Sequence, residues 1–141
     1  MAKAIKNKKA FFEYDLNDRI EAGIVLVGSE IKAIRAGKVS LVGSYGRILY
    51  KDDKPELWLV GAHISSETED PTRTRKLLVH SHEIQKLIGI TQQKGLTLVP
   101  TKIYFKKGRA KVELSVGRGR KTHDKREAIK RRDLERDLHQ R

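Results

Sequence analysis

Cysteine is absent from this 141-residue chain, which removes disulfides, thiolate metal sites and cysteine nucleophiles together. The fold must therefore stand on packing. Long apolar runs are also missing. Nothing approaches the ~20 residues of a membrane span, and the N-terminus "MAKAIKNKKA" lacks a signal-peptide apolar region. The expectation is a cytoplasmic protein without a membrane partner. Catalytic and cofactor signatures are equally sparse. "GRGRKT" lacks the strand-to-helix setting that a phosphate-binding loop requires, and no Ser, His and Asp arrangement stands out. His80 and His82 sit two apart with no further ligand nearby, so they read as surface or structural histidines rather than a metal site needing three or four donors. Neither catalysis nor a cofactor nor a metal is expected.

Acids are in short supply too: 18 Asp and Glu face 31 Lys and Arg, a formal net charge of +13, while 38% of residues remain hydrophobic. This is the balance of a folded protein with a basic coat rather than a disordered polycation. Such an excess concentrates polyanions around the chain and points to nucleic acid or an acidic surface. The length suits one domain with a modest core. Residues 1–9 carry four lysines and no acid and read as a basic arm, 10–117 as the globular unit, and 118–141 as a basic tail.

Within 10–117, "FFEYDL" and "RIEAGIVLV" are strand-like and separated by "ND". "SEIKAIRAGK" predicts a short helix with Ser29 as N-cap and Gly37 as stop. "SYGRILY" and "ELWLVGAHI" flank "KDDKP" as a hairpin. After the polar loop "SSETEDPTRTR", "LLV" is a short apolar run, and a second helix begins near Ser81 and stops at Gly95. "LTLVPTKIYF", "KKGR" and "AKVELSV" form the clearest hairpin, with Pro100 at an edge or bulge. The fold expected is mainly β with short helices: a small antiparallel barrel resembling an oligonucleotide-binding (OB) fold, with flanking helices.

The cations come in groups: Lys3 to Lys9, Arg73 to Lys76, Lys102 to Lys111, and Arg118 to Arg126. Any single one is compatible with a solvated face, but the groups contain almost no balancing acids. Lys102, Tyr104 and Lys106 alternate along one predicted strand, which places cations and a ring on one barrel face suited to RNA. Glu30 admits two readings. A carboxylate in a first helical turn is favoured by the helix dipole, and a carboxylate can also accept hydrogen bonds from base edges.

"NKKAFFEY", "EAGIVLVGSEIKAIRAGKVSL", "WLVGAHI", "DPTRTRKLL", "KGLTLVPTKIYFKKGRAKVEL", "GRGRK" and "HDKREAIKRRD", in this order, resemble the small protein B family, the SsrA-binding proteins that partner transfer-messenger RNA. Phe12 stands where that family often has histidine, and "GRGRK" where "RGKK" is more usual. The resemblance implies an RNA-binding barrel acting in trans-translation, the rescue of stalled ribosomes, as a monomer. Its partners would be the tRNA-like domain of transfer-messenger RNA and both ribosomal subunits, including 16S rRNA. Asn7, Glu30 and Leu77 or Leu78 would face RNA, and the cations Lys8, Lys9, Lys32, Arg35, Arg73, Arg75, Lys76, Lys102 and Lys106, with Tyr104, complete the expected surface.

The same resemblance implies that the tail enters the mRNA channel of the small subunit as a helix, through Arg118, Arg120, Lys121, His123, Asp124, Lys125, Arg126, Ile129 and Lys130. The residues suit that expectation. Ala128, Ile129, Leu134 and Leu138 are too sparse for a docked apolar stripe. Pairs such as Glu127 with Arg131 supply only ~0.2–0.5 kcal/mol each, too little against the nucleation cost of a short helix in water. The bland alternative for the whole chain is a ribosomal or initiation-type barrel that binds rRNA directly.

Overall fold

The computed structural model describes residues 4–120. Strands β2 (Tyr14–Ile24), β4 (Tyr45–Lys51), β5 (Lys54–Val60), β7 (Arg75–Leu78), β8 (Leu96–Lys106) and β9 (Arg109–Gly119) form one antiparallel sheet. With the two-residue strand β1 (Ile5–Lys6) on β8, its order is β1-β8-β4-β5-β7-β2-β9, and β9 pairs back onto β8. Its six longer strands thus close a barrel, as the alternating pattern suggested, one strand more than a five-stranded OB-fold. Closure leaves no long open edge to template aggregation. β3 (Val39–Ser40) and β6 (His63–Ile64) make a separate small ladder.

Two tight turns build the hairpins. Asp52 and Asp53 (φ 50° and 63°) join β4 to β5, and Lys107 and Gly108 (φ 53° and 75°) join β8 to β9. Consecutive positive φ values match the right-handed strand twist, which is why Asp and Gly occupy such turns. The register shifts between Pro100 and Lys102, so the proline that cannot donate to a ladder sits at a bulge, as expected. The β4–β8 seam runs through Gly46 opposite Leu98. A Cβ at Gly46 would stand 3.0 Å from Leu98 Cβ, so glycine lets the two strands close there.

The core is aliphatic. Leu57, Leu59, Leu77, Leu98, Ile103, Val112 and Leu114 are at most 2% exposed and alternate with outward neighbours as strand geometry requires. Helix α2 (Gly28–Arg35) contributes Ala33 and Ile34, and α3 (Ser81–Thr91) contributes Leu87.

Several sequence expectations are corrected. "FFE" is not a strand but the end of helix α1 (Lys8–Glu13), because Asn7 Oδ1 accepts the Ala10 N–H (3.2 Å) and caps it. The segments on either side of "ND" are one strand, β2, with an irregularity between Asn17 and Ile20 where Asp18 has φ 52°. Helix α2 starts two residues earlier than an N-cap at Ser29 would allow. Its N-cap is Val27, whose N–H is satisfied by Glu30 Oε1 (3.1 Å), while Ser29 Oγ bonds Thr68 instead. Helix α3 ends at Thr91, well before Gly95, whose φ of +84° serves the turn into β8.

Both domain boundaries also shift. Ile5 and Lys6 form strand β1 against Ile103 and Lys102, so the basic arm joins the barrel from Ile5 onward. β9 continues past Gly117, pairing Arg118 with Asp15 and Gly119 with Tyr14. Gly117 therefore does not end the domain. A Cβ there would lie 2.6 Å from Val99 Cγ2 and 3.0 Å from Tyr14 Cδ1, so this glycine reflects close packing rather than a stop.

Candidate nucleic-acid interface

The acid and the arginines of the expected RNA surface meet in the interior. Glu30 and Arg75 are both 0% exposed. Arg75 Nε donates to Glu30 Oε2 (2.8 Å), and its Nη atoms donate to the carbonyls of Ala62 (2.8 Å) and Pro71 (3.0 Å). Arg73 donates to the same carboxylate from Nε (3.0 Å to Oε2) and Nη2. The Val27 N–H supplies a further bond. Burial alone would raise the Glu30 pKa, but the bonds from Arg73, Val27 and Arg75 outweigh it and hold the carboxyl below its ordinary value. The Arg73 pKa is correspondingly raised by its bond to Glu30. Every acceptor site that a base edge would need is engaged inside the protein. Glu30 is thus placed as a staple joining helix α2, the loop before β7, and β7 itself.

Asn7 is similarly spent. At 3% exposure, its Nδ2 donates to Leu41 O (3.1 Å) and Pro100 O (2.9 Å), docking α1 onto the barrel. Lys8 and Lys9 remain exposed beside it. The leucine pair divides by strand alternation: Leu77 is 2% exposed and in the core, whereas Leu78 is 53% exposed.

Lys102, Tyr104 and Lys106 do share an outward face, but neighbouring strands supply acids that the local sequence lacks. Tyr104 OH donates to Glu21, Lys106 Nζ lies 3.5 Å from Glu21, and Lys102 Nζ lies 3.9 Å from Glu113. The Tyr104 bond, chiefly, lowers the Glu21 pKa, while burial and the bond to Glu21 raise that of Tyr104. The Arg35 guanidinium sits 5.1 Å above the Phe105 ring, and Lys32, on the same helix, is exposed. Lys76 pairs with Glu56 (2.6 Å) but is still 40% exposed. Arg118 and Arg120 belong to the globular unit, where Arg120 Nε donates to Tyr14 O (3.2 Å). Lys121, His123, Asp124, Lys125, Arg126, Ile129 and Lys130 lie outside the described residues.

A groove of about 530 Å³ opens among β2, β7, β9, α2 and the start of α3. Its apolar side is formed by Ile24, Leu26, Ile31, Leu78 and Val79, and its polar rim by Glu21, His80, Glu83, Arg109 and Lys111. Gly23, paired with Leu78 and Lys111 in the flanking strands, leaves the floor open. The Lys107–Gly108 turn sets Lys106, Lys107, Arg109 and Lys111 beside it. His80 and His82 stack face to face, with centroids 5.6 Å apart and planes 8° off parallel. An apolar shelf with cations along one wall suits a nucleic-acid backbone and an exposed base or sugar.

Sequence reasoning named Leu78 but missed Glu21, His80, Arg109 and Lys111. They come from β2, the start of α3 and β9, so no local pattern marks the group. The one available hint was the positive turn "KKGR" within the basic group from Lys102 to Lys111.

The family profile described as "SmpB protein" matches residues 4–141. The chain belongs to the SmpB family. SsrA-binding proteins of Chloroflexus aggregans and Syntrophobacter fumaroxidans are 52% and 48% identical to it, covering 98% and 94% of this chain and 89% and 84% of theirs. A solved SmpB structure, described as "tmRNA-SmpB: a journey to the center of the bacterial ribosome", superimposes with a TM-score of 0.71 at 44% identity, over 91% of this chain and 95% of that one. The resemblance read from the motifs is therefore a family relationship spanning the chain, and the expected β-rich fold is that of a solved relative.

Proposed function

We propose that this chain is a non-enzymatic RNA-binding protein that holds the tRNA-like domain of transfer-messenger RNA and delivers it to stalled ribosomes in the cytoplasm. The groove between Leu78 and the Arg109–Lys111 edge is the barrel's contact with that RNA, and the tail from Lys121 onward probes the empty mRNA channel. The family relationship carries this reading, because the named relatives are SsrA-binding proteins and the solved one is a tmRNA–SmpB structure. The groove supports it physically. It offers cations for phosphates and an apolar shelf, on strands whose own hydrogen bonds are already satisfied within the barrel.

RNA captured from a bacterial lysate on the immobilised full chain tests the proposal directly. Enrichment of transfer-messenger RNA is expected. Retention of rRNA alone would replace the proposal with the direct rRNA-binding barrel. The groove is tested separately by exchanging Arg109 and Lys111 for glutamine. Both side chains lie outside the core, so the fold should be unaffected. Each phosphate contact contributes roughly 0.9 to the slope of log affinity against log salt, so loss of both should flatten the slope for tRNA-like RNA by about 2. An unchanged slope would move the interface elsewhere on the barrel.

A further inference from the structure

The outer surface of β4, β5 and β7 carries a feature unused by the groove. Leu57 and Leu59 point inward, 1% and 0% exposed, so strand alternation turns Trp58 outward. Cross-strand pairing then aligns Arg47, Trp58 and Lys76 in one row over three strands. The next row holds Tyr45, 37% exposed, opposite Val60. Val25, 47% exposed, borders Lys76 through its N–H bond to Lys76 O (3.0 Å). A tryptophan on an outward face can simply reflect the preference of aromatic rings for a pleated, half-buried surface. Two observations point further. The ring and cation contacts among the described residues involve His80, His82, Phe105 and Tyr104, leaving the indole face without a stacking partner. Within the row Trp58 is also flanked by a cation on each side, Arg47 and Lys76, with Glu56 as the acid bound to Lys76.

We propose that this row is a second RNA surface, distinct from the groove, that takes an unpaired segment of RNA. One base stacks on Trp58, and Arg47 and Lys76 hold the phosphates on either side of it. Stacking on an aromatic side chain accepts any base, since every base has a π-face. The Lys76 ammonium has three donors, so its pairing with Glu56 leaves capacity for a phosphate. Continuity favours RNA as the occupant: Lys76 and Leu78 are successive outward positions of β7, so a strand leaving the groove passes directly onto the row.

Trp58 is the sole tryptophan of the chain, so its emission reports this surface alone. The experiment titrates the full chain with an unstructured RNA of about eight nucleotides, within the range of sites on barrels of this kind. Saturable quenching of Trp58 is expected. Trp58→Leu should weaken binding of this RNA roughly 5- to 150-fold, the equivalent of one lost base stack, and Trp58→Tyr should recover most of it. Binding of tRNA-like RNA, measured in parallel, should survive Trp58→Leu, which separates this surface from the groove. Binding of the short RNA without quenching would overturn the proposal, as would wild-type affinity in folded Trp58→Leu. An emission change that follows protein concentration without RNA would assign the row to a second copy of the chain and overturn it as well. Should Trp58→Leu not fold, quenching of the native protein and the affinity of Trp58→Tyr still decide.

Discussion

Glu30→Ala is expected to destabilise the barrel by about 3–5 kcal/mol, the cost of leaving a buried partner charge uncompensated. Arg75, fully buried, would lose its carboxylate, and Arg73 would lose both of its side-chain bonds. Denaturant melts of the variant would measure the loss directly. The double variant Glu30→Met with Arg75→Met removes both buried charges and should recover much of that stability, since a buried pair is expensive to break but not to replace by apolar groups. The RNA-contact reading predicts the opposite pattern: normal stability with RNA binding weakened by ~1–3 kcal/mol. A folded, fully stable Glu30→Gln that binds RNA poorly would therefore defeat the staple. Acid pH supplies an independent measurement. The folded-state pKa of Glu30 is lowered from its ordinary 4.5, so its contribution is present above that value and is lost as pH falls through the lower folded pKa. Below pH 4.5 the stability difference between wild type and Glu30→Gln should shrink.

Cutting the chain after Lys121 should abolish ribosome rescue while leaving RNA binding by the barrel nearly intact. The cut spares every described strand, including β9 to Gly119, and the Arg120 bonds to Glu13 O and Tyr14 O. On the proposed reading, barrel and tail contact different RNAs. The residues beyond the cut carry seven Lys and Arg against five Asp and Glu, and only four aliphatic side chains, a composition suited to phosphates rather than to the barrel's apolar surface. Alanine transfer from transfer-messenger RNA on ribosomes lacking downstream mRNA measures the outcome, which should fall to background. Wild-type transfer by the truncated chain would reduce the tail to a solvated appendage.

By itself the sequence determined the class of the protein. Alternation in "AKVELSV", the turns "KDDK" and "KKGR", and the bulge at Pro100 are local signals, and each holds because strand period and turn chemistry act over a few residues. The charge excess pointed to a polyanion by the same directness, and the ordered motifs disclosed the family. Tertiary structure decided what each polar residue does. Glu30, Arg73 and Arg75 look like a surface in sequence, yet they lie 43 and 45 positions apart and meet inside the fold. Whether a charge is spent internally depends on which distant partner the topology delivers. Lys106 and Tyr104 acquire Glu21 from β2 in the same manner. Only register separates Leu77 from Leu78: one step along a strand turns a side chain from the core to the solvent. The groove itself had no sequence signature, because it arises where β2, β7, β9 and α2 converge, and Gly23 contributes to it by having no side chain.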